Sequence, residues 1–229
     1  MEKFKIRASK CSEILTNDRS GKGMGETAKT YCKEWLIGQL YGKKKEVQSK
    51  YLERGIISEQ DAIDFVANYF DYGILLKNEM LYENHFLTGT PDIILKDKVI
   101  DIKCSWDCFT FPLLLNDYPK AYYWQAQCYM ILTGIQRFEL IYVLLDLPKH
   151  LIEREAWNYA RANGYDTVDD YIFDLIKEKH TYKDVPDFLK IKKFDIVFNT
   201  EAKDIIEKRI DDCRSYIDGL IHENNLTLI

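Results

Sequence analysis

The chain has 229 residues, 46% of them hydrophobic, enough to bury the core of one sizeable α/β domain. Its formal net charge of −5 argues against a protein that coats nucleic acid by charge alone. An enzyme is not excluded, because a local basic strip or bound divalent cations offset phosphate charge. Aromatic residues reach 14%, including 16 Tyr, and such side chains serve both cores and nucleic-acid surfaces. The opening Met-Glu-Lys-Phe-Lys lacks the apolar run of a signal peptide, and no stretch approaches the ~20 apolar residues of a membrane span. A cytoplasmic protein without a membrane partner is expected. Cysteines at 11, 32, 104, 108, 128 and 213 form no CxxC pair, so a zinc or iron–sulfur site is disfavoured.

Taken in chain order, residues 17–25 (NDRSGKGMG) read as a mobile surface loop; they lack the closing Gly-Lys-Ser/Thr of a phosphate-binding P-loop. Apolar spacing predicts a helix over 27–39, with Tyr31, Trp35 and Leu36 on its inner face. A second helix is predicted over 58–69, capped by Ser58, with Ala62, Phe65, Val66 and Tyr69 buried. The period then changes to two. One or two strands are expected over 74–86, a turn at 87–90, a short strand over 91–95, a tight turn at 96–98 and a strand over 99–105. This is a β-meander, followed by a helix over 121–132 that ends at Gly134 and a strand over 138–145. Residues 148–190 are charged and helical in pattern and read as an insertion into a single domain whose core is about 5–147 and 191–229. A strand over 194–198 and an amphipathic helix over 201–222 close the chain, the helix facing Ile205, Ile206, Ile210, Cys213, Ile217 and Leu220 inward. The whole is a mixed α/β core.

The chemistry concentrates in Gly89-Thr90-Pro91-Asp92, eight intervening residues, and Asp101-Ile102-Lys103. Strand alternation points Asp101 and Lys103 to one face and Ile102 to the other. The hairpin brings Asp92 beside Asp101, and two adjacent carboxylates repel unless a cation lies between them. Oxygen ligands of this kind suit Mg²⁺ or Mn²⁺. Lys103 is placed to orient or help deprotonate an attacking water. A turn aspartate and a solvated strand face are the bland alternatives. Glu59 stands in the first turn of its helix, where a carboxylate also simply complements the helix dipole. Glu79 and Glu83 are rival acidic ligands. Gln125 and Tyr129 share a helix face at i, i+4 spacing, and Arg7 and Ser9 flank Ala8 near the start. The four His residues lack ligand spacing, and Cys104 reads as a structural thiol.

Pro91-Asp92 followed by Asp101-Ile102-Lys103 resembles the signature of the PD-(D/E)xK nuclease superfamily. Gly55-Ile56-Ile57-Ser58-Glu59 resembles the acidic helical motif of lambda-exonuclease-like and YqaJ-like phage recombinases. The Gln125–Tyr129 pair is similar to the QxxxY of RecB-type nucleases, and Arg7-Ala8-Ser9 to an N-terminal element placed near the DNA end. The resemblance covers roughly residues 5 to 145. It implies a restriction-endonuclease-like fold and hydrolysis of DNA phosphodiester bonds with Mg²⁺ or Mn²⁺. Asp92, Asp101, the Ile102 carbonyl and Glu59 would lie at the metal, Lys103 would activate the nucleophile, and Gln125, Tyr129, Arg7 and Ser9 would meet DNA. It also implies 5′-to-3′ digestion of double-stranded DNA ends, a trimeric ring and an annealing-protein partner. An endonuclease or repair nuclease, or a catalytically silent end-binding module, would carry the same motif. The iron–sulfur adaptation nucleases of the superfamily are disfavoured, because only Cys213 lies late in the chain.

Overall fold

The computed structural model describes residues 3–45 and 49–226. A four-stranded sheet holds β4 (Ile93–Ile94), β5 (Val99–Cys104), β6 (Arg137–Val143) and β7 (Ile191–Val197) in that spatial order. A smaller sheet has β3 (Leu87–Gly89) between β1 (Ile6–Arg7) and β2 (Tyr82–Glu83). β4 and β5 form the antiparallel hairpin expected from the sequence, whereas β5 and β6 run parallel. A parallel pair needs a crossover, here α5 (Lys120–Thr133), which stops at Gly134 in the left-handed conformation, φ 75°.

Both faces of the larger sheet are covered, which is why six of the seven β6 residues are buried rather than every second one. On one face, α4 (Glu59–Phe70) packs Ala62, Ile63 and Val66 against Ile93, Ile100, Ile141 and Val143. On the other, α5 packs Ala126, Cys128, Tyr129 and Met130 with Val99, Phe138 and Leu140. This second core continues into α1 (Cys11–Ile14), α2 (Glu26–Tyr41) and α8 (Ala202–Glu223), the last burying Ala202, Ile206, Ile210, Cys213 and Ile217 at helical spacing. The connection from β6 to β7 carries α6 (Lys149–Ala162) and α7 (Asp170–Lys179), which share their own apolar cluster with Trp106 and Leu147.

Several local expectations change. Within 74–86 only Tyr82–Glu83 pairs as strand, while Ile74, Leu76, Met80 and Leu81 face solvent along an unpaired extended segment. Residues 87–89, read as a turn, are β3, because Leu87 finds its partner in Ile6. The expected meander is therefore two hairpins in different sheets, β2–β3 and β4–β5, followed by a crossover. A further helix, α3 (Lys50–Ile57), precedes α4, and Ser58 is the joint between them; its side chain makes no cap hydrogen bond. Ile63 takes the inward place expected of Tyr69, and Ile205 is also left substantially exposed. Residues 17–25 form a closed turn with an Asn17–Met24 bridge and an Asp18 N–H donating to Gly23 O at 3.1 Å.

Candidate active site

The β4–β5 register pairs Ile93 with Ile100 and Ile94 with Val99, so its continuation sets Asp92 beside Asp101. The ladder stops there: Pro91 has no N–H to offer, and the Asp92 side chain takes over. Its Oδ2 accepts the Ile102 N–H at 3.0 Å. Asp101 is 1% exposed, and its Oδ1 accepts Gln125 Nε2 at 3.1 Å. Lys103 Nζ lies 2.6 Å from the buried Asp101 Oδ2 as an ion pair.

The preceding residues are held from two sides. Gln125 Nε2 also lies 3.3 Å from the Tyr129 hydroxyl, which donates to Thr90 O at 3.2 Å. Tyr129 comes so close to β3 that a Cβ on Gly89 would stand 2.7 Å from its ring and 3.0 Å from Ala8 Cβ. That close approach is the reason for glycine in the Gly-Thr-Pro-Asp run. Asn78 completes the clamp: its N–H donates to Asp92 O at 2.7 Å and its Nδ2 to Pro91 O at 2.9 Å.

Charge is concentrated and partly desolvated. Burial, and then the charge of Asp101, push the Asp92 carboxyl up to about 7. Burial pulls the Lys103 ammonium down, but Asp101 and Asp92 outweigh it and hold the lysine charged. Lys103 Nζ also sits 5.3 Å from the Tyr122 ring centre. Burial pushes the Cys104 thiol up to about 11, consistent with a structural role.

The structure thus brings Asp92, Asp101, Ile102, Lys103, Gln125 and Tyr129 together. Glu59, the first residue of α4, is near enough to raise the Asp92 pKa but is engaged by Lys77 at 2.8 Å. Among the described residues, no three His, Cys, Asp or Glu side chains converge into a ready ligand set. Of the rival acids, Glu83 pairs with Lys5 at 2.9 Å, and Glu79 is exposed. Arg7 and Ser9 are exposed; Arg7 stands opposite Thr88, on the strand beside the one that leads to Asp92. Asn78 and Lys77 were not foreseen, because their unpaired extended segment carries no periodic signal; the polar pair inside an apolar run was the available clue. An adjacent buried carboxylate pair, with the Asp92 carboxyl pushed up by burial and by the charge of Asp101, fits a divalent cation between the two.

A mixed sheet whose hairpin joins two aspartates and a lysine, backed by a glutamine and a tyrosine from the crossover helix, is the PD-(D/E)xK nuclease fold. The model of the YqaJ-like viral recombinase domain matches residues 2–136, and the chain belongs to that family. Among solved structures, the chain is similar to a phage-related exonuclease from Haemophilus somnus 129PT, at 27% identity, TM-score 0.77 and 97% coverage of both chains. It is also similar to an alkaline exonuclease, LHK-Exo, from Laribacter hongkongensis, at 17% identity and TM-score 0.64, covering 96% of this chain and 91% of that one. The structure of LHK-Exo with dAMP gives 17% identity and TM-score 0.63, with 96% and 93% covered. The likeness therefore extends through 148–190, beyond the part legible as a resemblance in the sequence. A search of the curated proteins finds no match.

Proposed function

We propose that the chain is a metal-dependent deoxyribonuclease that digests linear double-stranded DNA from its ends, 5′ to 3′, in phage-type recombination. The observation that carries this reading is the buried Asp92–Asp101 pair, fixed by Ile102 N–H and Gln125, with Lys103 beside it. Membership of the YqaJ-like family and the likeness to a phage-related exonuclease and an alkaline exonuclease support the exonuclease reading.

Asp92, Asp101 and the Ile102 carbonyl would hold Mg²⁺ or Mn²⁺, with Glu59 directly or through water. When bound, the cation supplies Lewis acidity, making water a better nucleophile and stabilising phosphoryl charge. Asp92 and Asp101 are already oriented, because a backbone N–H and an amide donor each fix one of their oxygens. Lys103, charged and on the same strand face as Asp101, orients the attacking water and steadies the scissile phosphate. Gln125 holds Asp101, and Tyr129 holds the backbone one step before Pro91. Arg7 and Ser9, exposed beside β3, contact the DNA end. Assembly as a ring and cooperation with an annealing protein belong to the same reading. Digestion of linear and covalently closed circular duplexes with Mg²⁺ tests it. Loss of linear DNA alone supports an exonuclease; equal cutting of circles assigns an endonuclease. Binding without nucleotide release, in Mg²⁺ or Mn²⁺, assigns an end-binding module.

A further inference from the structure

Asp101 and Glu59 each carry a lysine, Lys103 at 2.6 Å and Lys77 at 2.8 Å, and Glu59 lies near enough for its charge to act on Asp92. Lys77 Nζ lies 2.8 Å from Glu59 Oε2, and the two side chains are 44% and 30% exposed. The field on Lys77 comes first from Glu59, then from Glu79 and Asp92, all holding its ammonium charged. Its position is fixed on both sides. Leu75 is buried in the core cluster that α4 also packs into, with Ala62, Ile63 and Val66. Asn78 is bound to the Pro91 and Asp92 carbonyls. The lysine therefore sits between an anchor on the core of α4 and an anchor on the Asp92 backbone. Glu59 begins that same helix. The backbones of both partners are thus placed independently of the ion pair, which brings together two partly exposed side chains.

We infer that Lys77 is the built-in counter-ion of Glu59: it occupies the third carboxylate until a divalent cation displaces it, and so sets the cation affinity of the site. The inference rests on the metal-dependent reading above. It gives physical content to the division of labour between the lysines. Lys103 faces Asp101 on the α5 side of the sheet, whereas Lys77 engages Glu59 on the α4 side. With Lys77 in place, the acidic charge near Asp92 is partly balanced without a metal. Its release frees the Glu59 carboxylate to join the aspartates.

Mn²⁺ binding to the full-length protein without DNA, measured by titration calorimetry, tests this directly. Lys77→Met is expected to tighten Mn²⁺ binding about two- to fivefold, the range for releasing a partly exposed ion pair. Lys77→Arg is expected to bind as the wild type does. In a Glu59→Gln background, Lys77→Met is expected to bring no gain. Unchanged affinity in Lys77→Met overturns the inference. So does an equal gain with Glu59→Gln, which means a general field effect rather than a specific pair. Wild-type protein that takes up no Mn²⁺ overturns the metal-dependent reading and this inference with it; wild-type uptake with no response to Lys77 overturns this inference alone. Lys77 is exposed, so the variants are expected to melt as the wild type does, and that melt separates a binding effect from misfolding.

Discussion

Gly89→Ala probes how the site is built without touching a charged residue. The added methyl would stand 2.7 Å from Tyr129 Cε1 and 3.0 Å from Ala8 Cβ. Real carbon contacts are well over 3 Å, so one neighbour must move. Ala8 is fully buried in the main core and has little room. Tyr129 must therefore shift, straining its stacking on Phe138, at 6.3 Å between ring centres, and its 3.2 Å hydrogen bond to Thr90 O. Overpacking costs roughly 1–3 kcal/mol, and a lost hydrogen bond about 1 kcal/mol, so about 2–4 kcal/mol of stability should go. Urea unfolding followed by tryptophan fluorescence measures it. Tyr129→Leu in the same chain should relieve the clash, making the double variant less destabilised than the sum of the singles. A loss below about 0.5 kcal/mol, or strict additivity, would refute the proposed close packing.

Other expectations follow from the same geometry. Asp92 keeps its proton up to about pH 7 in the folded protein but loses it near pH 4 when unfolded. Its burial thus costs nothing below about pH 4 and its full amount above about pH 7. Without divalent cations, Asp92→Asn should stabilise the protein by on the order of 1–3 kcal/mol at about pH 8 and by nothing measurable at about pH 4; equal urea midpoints for both proteins at the higher pH would count against it. Arg54 is wholly buried, donating to Leu145 O at 2.7 Å and Asp146 O at 2.8 Å, so Arg54→Ala should cost about 3 kcal/mol or more in thermal or urea melts. Gln125→Leu removes the donor to Asp101 and should lower the rate of DNA digestion about tenfold or more while largely retaining the fold, checked by nucleotide release alongside circular dichroism. Chelation of divalent cations should stop digestion, and added Mg²⁺ should restore it.

The parts of the site that read clearly in the sequence are those that local geometry decides. Asp101 and Lys103 share a strand face because strands alternate, and Asp92 lies opposite because a tight turn closes the hairpin; its loop is Lys96–Asp97 rather than 96–98, since the Leu95 N–H donates to Lys98 O, and this even count is what sets Asp92 against Asp101. Gln125 and Tyr129 line up because helices bring i and i+4 together. What escaped depends on distant partners. β3 is the centre of its sheet because Ile6 and Arg7, some eighty residues earlier, pair with one edge while Tyr82 and Glu83 pair with the other. Ser58 looked like an N-cap, but α3 runs up to it, so its backbone is already committed to two helices. Lys77 and Asn78 lie in an extended stretch whose hydrogen bonds go to loop carbonyls and an ion pair rather than to a ladder. Glu59 was expected near the aspartates, and its ion pair to Lys77 could not be read from spacing.

Nucleotide release from linear duplex DNA with Mg²⁺, compared among the wild type, Asp101→Asn and Lys103→Ala, tests the central claim most directly. The account predicts release by the wild type and a fall of about a hundredfold or more in both variants, with the fold retained. An inert wild type in both Mg²⁺ and Mn²⁺, or an Asp101→Asn variant that digests DNA as fast as the wild type, would contradict it.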